Sequence, residues 1–263
     1  MPVSVRHGGQ DGMTTRHSPA KLREAAGRNL HERIANTLGT RIVGGIDPPG
    51  SALPTEVELC ATLNVSRSAL REAFKLLAAK RLIISRQKVG TLVRPRAEWN
   101  MLDPEVLGWH LQAAPTDAFV NGLFEVRMII EPAAAASAAE RRTARALAEM
   151  EAALAEMTTH QHDPANLSPA DLRFHQAILD ATGNYFLASF GAVIDSALIA
   201  SFQLGWTAAT RPPGFSLRQH EDVLEAIRAA DAAAANAAMT RLLRSAVEDV
   251  RAALVRRHLA GAH

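Results

Sequence analysis

The chain has 263 residues, 48% hydrophobic and 5% aromatic, a size and balance that suit one large or two small helical domains and exclude a wholly disordered chain. Its net charge of +2 hides a split: residues 1–100 carry 16 Lys/Arg against 8 Asp/Glu (+8) and residues 101–263 carry 13 against 19 (−6), so a basic part suited to nucleic acid precedes an acidic one. The lone cysteine, Cys60, excludes an internal disulfide framework, and with no secretory h-region and no apolar run near the roughly 18–20 residues of a membrane span, a cytoplasmic location is expected.

Residues 1–25 read as a flexible N-terminal tail. Leu30, Ile34, Leu38 and Ile42 recur every fourth residue and predict a helix over Ala26–Val43. Gly44-Gly45 ends it, and Pro48-Pro49-Gly50 predicts a loop. Leu53–Ile84, LPTEVELCATLNVSRSALREAFKLLAAKRLII, predicts two short helices about a tight turn. Pro54 suits a helix start, Glu56 and Glu58 suit its first turn, and Leu59 and Leu63 share a face with a buried Cys60 thiol. Asn64-Val65 breaks the pattern, and Ser66 caps the next helix. That second helix carries Arg67 and Arg71 on its wet face and Leu70, Phe74 and Leu77 on its dry one. Leu82–Ile84 and Thr91–Val93 predict two strands joined by a tip, Ser85–Val89, that holds Arg86 and Lys88; Gly90 permits the turn. Helix, turn, basic helix and basic hairpin make a winged helix-turn-helix, with the second helix read as the one that enters the major groove.

Between Glu98 and Trp109, Asp103 predicts a cap for a helix beginning at Pro104, while Trp99, Leu102, Leu107 and Trp109 predict a linker that docks and carries a signal, rather than a plain spacer. From Asp117 onward helices are predicted at Ala118–Arg141 (kinked at Pro132), Ala144–Thr158, Pro169–Thr182, Tyr185–Leu204, Arg218–Ala229 and Ala232–His258, with a loop at Thr207–Phe215. The fold class expected is mainly α: residues 26–96 a winged helix-turn-helix, 97–116 a linker, and 117–258 an all-helical bundle of six or seven helices.

Asp171 and His175 lie four apart, so a helix sets carboxylate and imidazole on one face, where they can share a cation; a surface ion pair uses the same spacing. Arg127 and Glu131 repeat that spacing. His220 is a candidate for the same cavity.

Several stretches resemble known regulators. Gly45–Gly50, Leu53-Pro54-Thr55-Glu56, Val65-Ser66-Arg67, Leu70-Arg71-Glu72-Ala73 and Gly90-Thr91 resemble the winged helix of the GntR family of bacterial transcription regulators. The resemblance implies DNA contact by Arg67, Arg71 and Gly90; the cap and wing positions Ser66, Ser68 and Lys88 join them as candidates. A family position that often carries a basic residue is Val57 here. Arg127, Glu131, Asp171, His175, Gly183-Asn184, His220 and Asp231 are similar in order and spacing to the FCD effector domain of the FadR subfamily. Members hold a divalent metal with one aspartate and three histidines; Asp171, His175 and His220 match three of these, and the fourth place is Leu242, which cannot ligate. The resemblance therefore implies either a zinc-like metal completed by the effector's own oxygens, or direct hydrogen bonds from those three residues to the effector. It implies a carboxylate-binding role for Arg127, and for Asn184 either an effector contact or a helix stop.

The Trp99–Trp109 string resembles the interdomain segment of the galactonate-type branch, which governs sugar-acid use. It implies a galactonate or related hexonate effector, a homodimer on an inverted-repeat operator, and repression relieved by ligand. A 2-hydroxy acid, an acyl-CoA or the metal itself are alternative effectors. A metal-dependent enzyme is the reading from another class, and it lacks a placed general base.

Overall fold

The computed structural model describes residues 19–113, 115–203 and 215–260. Most of the expected tail, residues 1–18, and the expected loop up to residue 214 lie outside the described residues.

The first helix, α1 (Pro19–Val43), begins seven residues before the predicted start. Ile34, Leu38 and Ile42 are buried as their spacing requires, but Leu30 is 37% exposed. Helix α2 (Glu56–Leu63) starts two residues after Pro54, the expected first position: Thr55 is its cap, in a capping box with Glu58. Asn64 takes the left-handed conformation (φ 51) and stops α2. Ser66 accepts from the Ala69 N–H at 3.2 Å and opens α3 (Arg67–Ala79). Leu70, Phe74 and Leu77 of α3 are buried against α1. Cys60 is only half-buried, a correction to the fully buried thiol expected.

Strands β1 (Ile83–Arg86) and β2 (Gly90–Val93) pair antiparallel, with Ile83 opposite Val93 and Arg86 opposite Gly90. Leu82 therefore precedes the strand, and the tip is shorter than predicted. Gly90 (φ +97) supplies a turn conformation an L side chain resists. The hairpin is pinned from its other edge, where Leu53 N–H donates to Thr91 O at 2.8 Å and Val93 N–H to Ser51 O at 2.9 Å.

Asp103 caps α4 (Pro104–Gln112), accepting from Glu105 and Val106 N–H groups, as predicted. This helix is a wedge. Val106 and Trp109 belong to the winged-helix core, whereas Leu107 and Leu111 belong to a cluster with Val120, Leu123 and Phe124 and with Val193, Ala197 and Ala200. The Trp109 indole N–H donates to Asn36 Oδ1 on α1 at 2.9 Å. Lys80, at the C-terminal end of α3, reaches both Asp103 oxygens at 2.8 Å. The linker therefore docks on both sides. Leu102 departs from expectation at 58% exposure.

Seven helices follow among the described residues: α5 (Asp117–Arg141), α6 (Ala144–Thr159), α7 (Pro164–Ala181), α8 (Tyr185–Ala188), α9 (Gly191–Gln203), α10 (Phe215–Arg228) and α11 (Ala232–Ala260). Helix α5 continues through Pro132, and α7 starts five residues before Pro169 and contains it. Ala134, Ala135, Ala138 and Ala139 are fully buried, and their small side chains let α5 approach its neighbours closely. The predicted single helix from Tyr185 is broken in two. Gln176 of α7 donates to Ala188 O at 3.2 Å, and a Cβ at residue 191 would lie 2.0 Å from its carboxamide oxygen, so Gly191 leaves room for that side chain where α9 begins.

Candidate functional site

The DNA-facing candidates lie together on the first domain. Ser66, Arg67, Ser68 and Arg71 are exposed at the start of α3, and Arg86, Lys88 and Gly90 are exposed on the hairpin. The Ser66 hydroxyl already caps α3 and lies 3.0 Å from the Ser68 hydroxyl. Arg71 is held by Glu56 at 3.1 Å, both partly in solvent. Val57, 60% exposed, puts an apolar side chain on the surface one residue after Glu56. This arrangement can carry phosphate contacts on the arginines and lysine, with base reading at the first turn of α3.

The second constellation forms in the bundle. Arg127, Glu131, Asp171, His175 and His220 are all buried. Helix α5 supplies the first two, α7 the next two and α10 the last. Ligand atoms of Asp171, His175 and His220 all lie within 4.8 Å of one another. Asp171 Oδ1 is 3.2 Å from His175 Nε2 and 3.1 Å from His220 Nε2. His220 Nδ1 lies 2.7 Å from Ser216 O, one turn earlier on α10. A carbonyl only accepts, so Nδ1 carries the hydrogen and the Nε2 lone pair of neutral His220 faces the Asp171 carboxylate. His175 repeats the pattern: Nδ1 contacts Glu131 Oε2 while Nε2 faces Asp171. Lone pairs this close need a cation between them, either a proton or a metal. The set therefore fits a divalent metal held by Asp171, His175 and His220, with Glu131 orienting His175 from behind.

The charge balance agrees. Burial opposes a charge on His175, but Glu131 and Asp171 outweigh it and raise the imidazole to about 9. Burial likewise works against ionised Glu131, yet Arg127 and His175 hold it down to about 2. Burial is outweighed again at Asp171, which its close contacts with His175 and His220 keep far below the usual carboxylate range. With no metal, a proton takes the cation's place.

Arg127 Nε donates to Glu131 Oε1 at 2.5 Å, and its Nη2 is 3.3 Å from His175 Nε2. The cavity that Arg127, Asp171, His175 and His220 share measures about 30 Å3, and Leu198, Ser201, Ser216, Leu242, Leu243 and Ala246 complete its wall. That is room for an ion with a water or two, and too little for a six-carbon acid without side-chain displacement. Leu242 does sit in the wall, where it offers no ligand atom. Asn184 is not brought there: it is exposed, and its carboxamide oxygen caps α8 by accepting from Phe186 N–H at 3.0 Å. Asp231 Oδ1 accepts from Ala234 N–H at 2.9 Å, at the start of α11. Sequence reasoning missed Ser216, although its place four residues before His220 was a readable signal. It also missed Leu198, Ser201, Leu243 and Ala246, which no local pattern singles out.

Comparison with known proteins gave concordant matches. Residues 30–93 match bacterial regulatory proteins of the gntR family, and residues 122–245 match the FCD domain. The galactonate operon transcriptional repressor of Escherichia coli (strain K12) is 39% identical over 217 residues, covering 82% of this chain and 95% of that protein. The HTH-type transcriptional regulator LutR of Bacillus subtilis (strain 168) is 33% identical over 206 residues, covering 77% of this chain and 92% of LutR. Among solved structures, Lar, which controls the expression of the Listeria monocytogenes agr system, shares the fold with a TM-score of 0.62 at 19% identity, over 84% of this chain and 96% of that one.

Proposed function

Because this chain belongs to the gntR family of bacterial regulatory proteins and carries an FCD domain, we propose that it is a cytoplasmic repressor whose grip on its operator is released by a small sugar acid. It is a transcriptional regulator, not an enzyme. In this reading residues 26–96 hold DNA and residues 117–258 hold the effector. A homodimer sets one α3 in each of two major grooves of an inverted repeat, about one helical turn apart. Arg67, Arg71 and Lys88 supply phosphate or base contacts, with Ser66, Ser68 and the Gly90 backbone close against the duplex.

The observation that carries the effector reading is the buried cluster in which Arg127, Asp171, His175 and His220 line a small cavity, with Glu131 behind Arg127 and His175. Without a metal, Arg127 and protonated His175 balance Glu131 and Asp171, so the cluster gives an acid no net attraction. A divalent cation on Asp171, His175 and His220 displaces that proton and leaves the cluster at +1, which a monocarboxylate then neutralises. When bound, the metal supplies a Lewis-acid anchor for the acid's oxygens; Arg127 adds N–H groups that suit a carboxylate. The small cavity disfavours an acyl-CoA. The name of the galactonate operon repressor, the 39%-identical relative, supports an aldonate, galactonate first.

The route to DNA runs through α9 and α4. Leu198 and Ser201 of α9 line the cavity, and Ala197 and Ala200 of the same helix pack against Leu107 and Leu111 of α4. An acid too large for the cavity displaces this wall, and α4 passes the shift to Trp109 and α1. Release requires that the acid bind the displaced state more tightly than the closed one.

The test is a gel shift on the DNA upstream of the gene, at stated salt, with a panel of aldonates, uronates and 2-hydroxy acids. Release by galactonate or another aldonate is expected. A shifted band that no acid disturbs overturns the effector reading, and no band at low salt, where basic domains bind best, overturns the operator reading.

A further inference from the structure

Helix α4 is tied to the first domain by side-chain bonds near each of its ends. Toward its C-terminal end the ties run to α1: the Trp109 indole N–H donates to Asn36 Oδ1 at 2.9 Å, and Thr40 Oγ1 donates to Gln112 Oε1 at 3.2 Å. At its N-terminal end the tie runs to α3. Lys80 is the C-cap of α3, and its ammonium donates to both Asp103 oxygens at 2.8 Å and pairs with Glu105. The Lys80 and Asp103 side chains are only 12% and 19% exposed, so salt screens this pair less than a surface one. A backbone bond from Asn100 N–H to Lys80 O, at 3.1 Å, holds the loop before α4 rather than the helix itself. Asp103 and Trp109 are six residues apart, which is about 9 Å along a helix. Directional ties at that separation fix the tilt of α4 on the first domain. The apolar contacts of Val106 and Trp109 with the same core are non-directional and do not. On its other side α4 packs on α9 through Leu107 and Leu111. The end of the helix that enters the groove is therefore bonded to the helix that seats on the bundle.

We propose that Lys80 is a positioning residue for operator recognition: through Asp103 it fixes the angle at which α3 projects from the bundle, and with it the half-site spacing that two copies joined through their bundles accept. This rests on the reading of a homodimer on an inverted repeat and adds what sets the repeat's spacing. Each added base pair turns the second half-site by about 34° and moves it by about 3.4 Å, so play at the α4 joint decides how many spacings are bound. Without the Lys80 ammonium, α4 keeps its ties to α1 and pivots about them. The loss orphans little: Asp103 still accepts from the Glu105 and Val106 N–H groups at 3.0 and 3.3 Å, and Glu105 is exposed.

The experiment is selection of bound sites from a random duplex pool by the full-length protein at stated salt, wild type against Lys80→Met, read by sequencing. Wild type is expected to enrich paired half-sites at one spacing, about tenfold over spacings one base pair shorter or longer, a discrimination like that against one mismatched base pair. Lys80→Met is expected to select the same half-site sequence with the spacing preference lost and the enrichment spread over several spacings. Asp103→Asn combined with Glu105→Gln, which keeps an oxygen to cap α4, carries the same expectation and decides the matter if Lys80→Met does not fold. A single sharp spacing in the folded variants overturns the proposal. So does weaker binding with the wild-type spacing kept, since that is the mark of a merely structural pair. A changed half-site sequence overturns it too, because Lys80 would then act on α3 itself. A wild-type pool without paired half-sites fails the inverted-repeat reading, and the proposal falls with it.

Discussion

Replacing Gly39 by alanine inside α1 ought to stabilise the helix by about 0.5–1 kcal/mol, since glycine is the poorer helix former. The structure reverses that sign. A Cβ at residue 39 would lie 2.4 Å from both Cδ2 and Cε3 of Trp109 and 2.7 Å from Cε2. Carbon atoms at rest stay about 3.5–4.0 Å apart, so α1 and α4 would have to separate by about 1 Å. The indole has little freedom to turn aside: it is 2% exposed, donates to Asn36 at 2.9 Å and has the Lys80 ammonium 5.9 Å from its ring centre. Overpacking of this kind costs about 1–3 kcal/mol. After the gain in propensity, a net loss of about 1–2 kcal/mol remains. At about 2–4 °C per kcal/mol for a domain of 150–250 residues, Gly39→Ala should lower the thermal midpoint by about 2–8 °C. Scanning calorimetry of the full chain measures it. In a Trp109→Phe background the smaller ring relieves the clash, and the cost of the alanine should shrink. A midpoint equal to or above that of the parent protein would refute the reasoning, because it would mean that α4 does not press its tryptophan onto α1.

Two substitutions separate the sites: Arg67→Ala should abolish the operator band while keeping the acid-induced thermal shift, and His175→Ala should keep the band while making it indifferent to acid. Loss of both activities in either variant would show that the two sites are not separable. A third expectation concerns acid. His110 is stacked on Phe119 with ring centres 4.4 Å apart, its Nε2 has no hydrogen-bond partner, and burial, then the Arg96 charge, lowers it to about 4. The unfolded chain takes up that proton near 6.5 and the folded chain only near 4, so the protein loses stability as pH falls through that window. His110→Phe keeps the stack and removes the titration. Its midpoint should rise relative to wild type as pH drops from 7 to 4, and a pH-independent difference would count against a buried neutral His110.

Much of the first domain was readable because its signals are local. Helix periodicity placed Leu70, Phe74 and Leu77 inside and Arg67 and Arg71 outside, and Ser66 and Asp103 cap where their types predict. The pairs Arg127/Glu131 and Asp171/His175 were legible for the same reason, since four residues is one helical turn. Local pattern failed where a distant residue decides. Leu30 and Leu102 have the right type and are nonetheless exposed. The helix expected from Tyr185 breaks because Gln176, on another helix, takes the Ala188 carbonyl. Asn184 is a cap rather than a cavity residue because α8 starts at its side chain.

By itself, then, the sequence determined the types of the elements, the polarity of their faces and the donor chemistry on each helix, all of which follow from side-chain order along one turn or one strand. The tertiary packing alone decided that His220 meets Asp171 across 49 residues, that Leu242 lines the same cavity, and that α4 is shared by two cores. Those contacts depend on how helices cross, and no spacing within a single helix encodes the crossing.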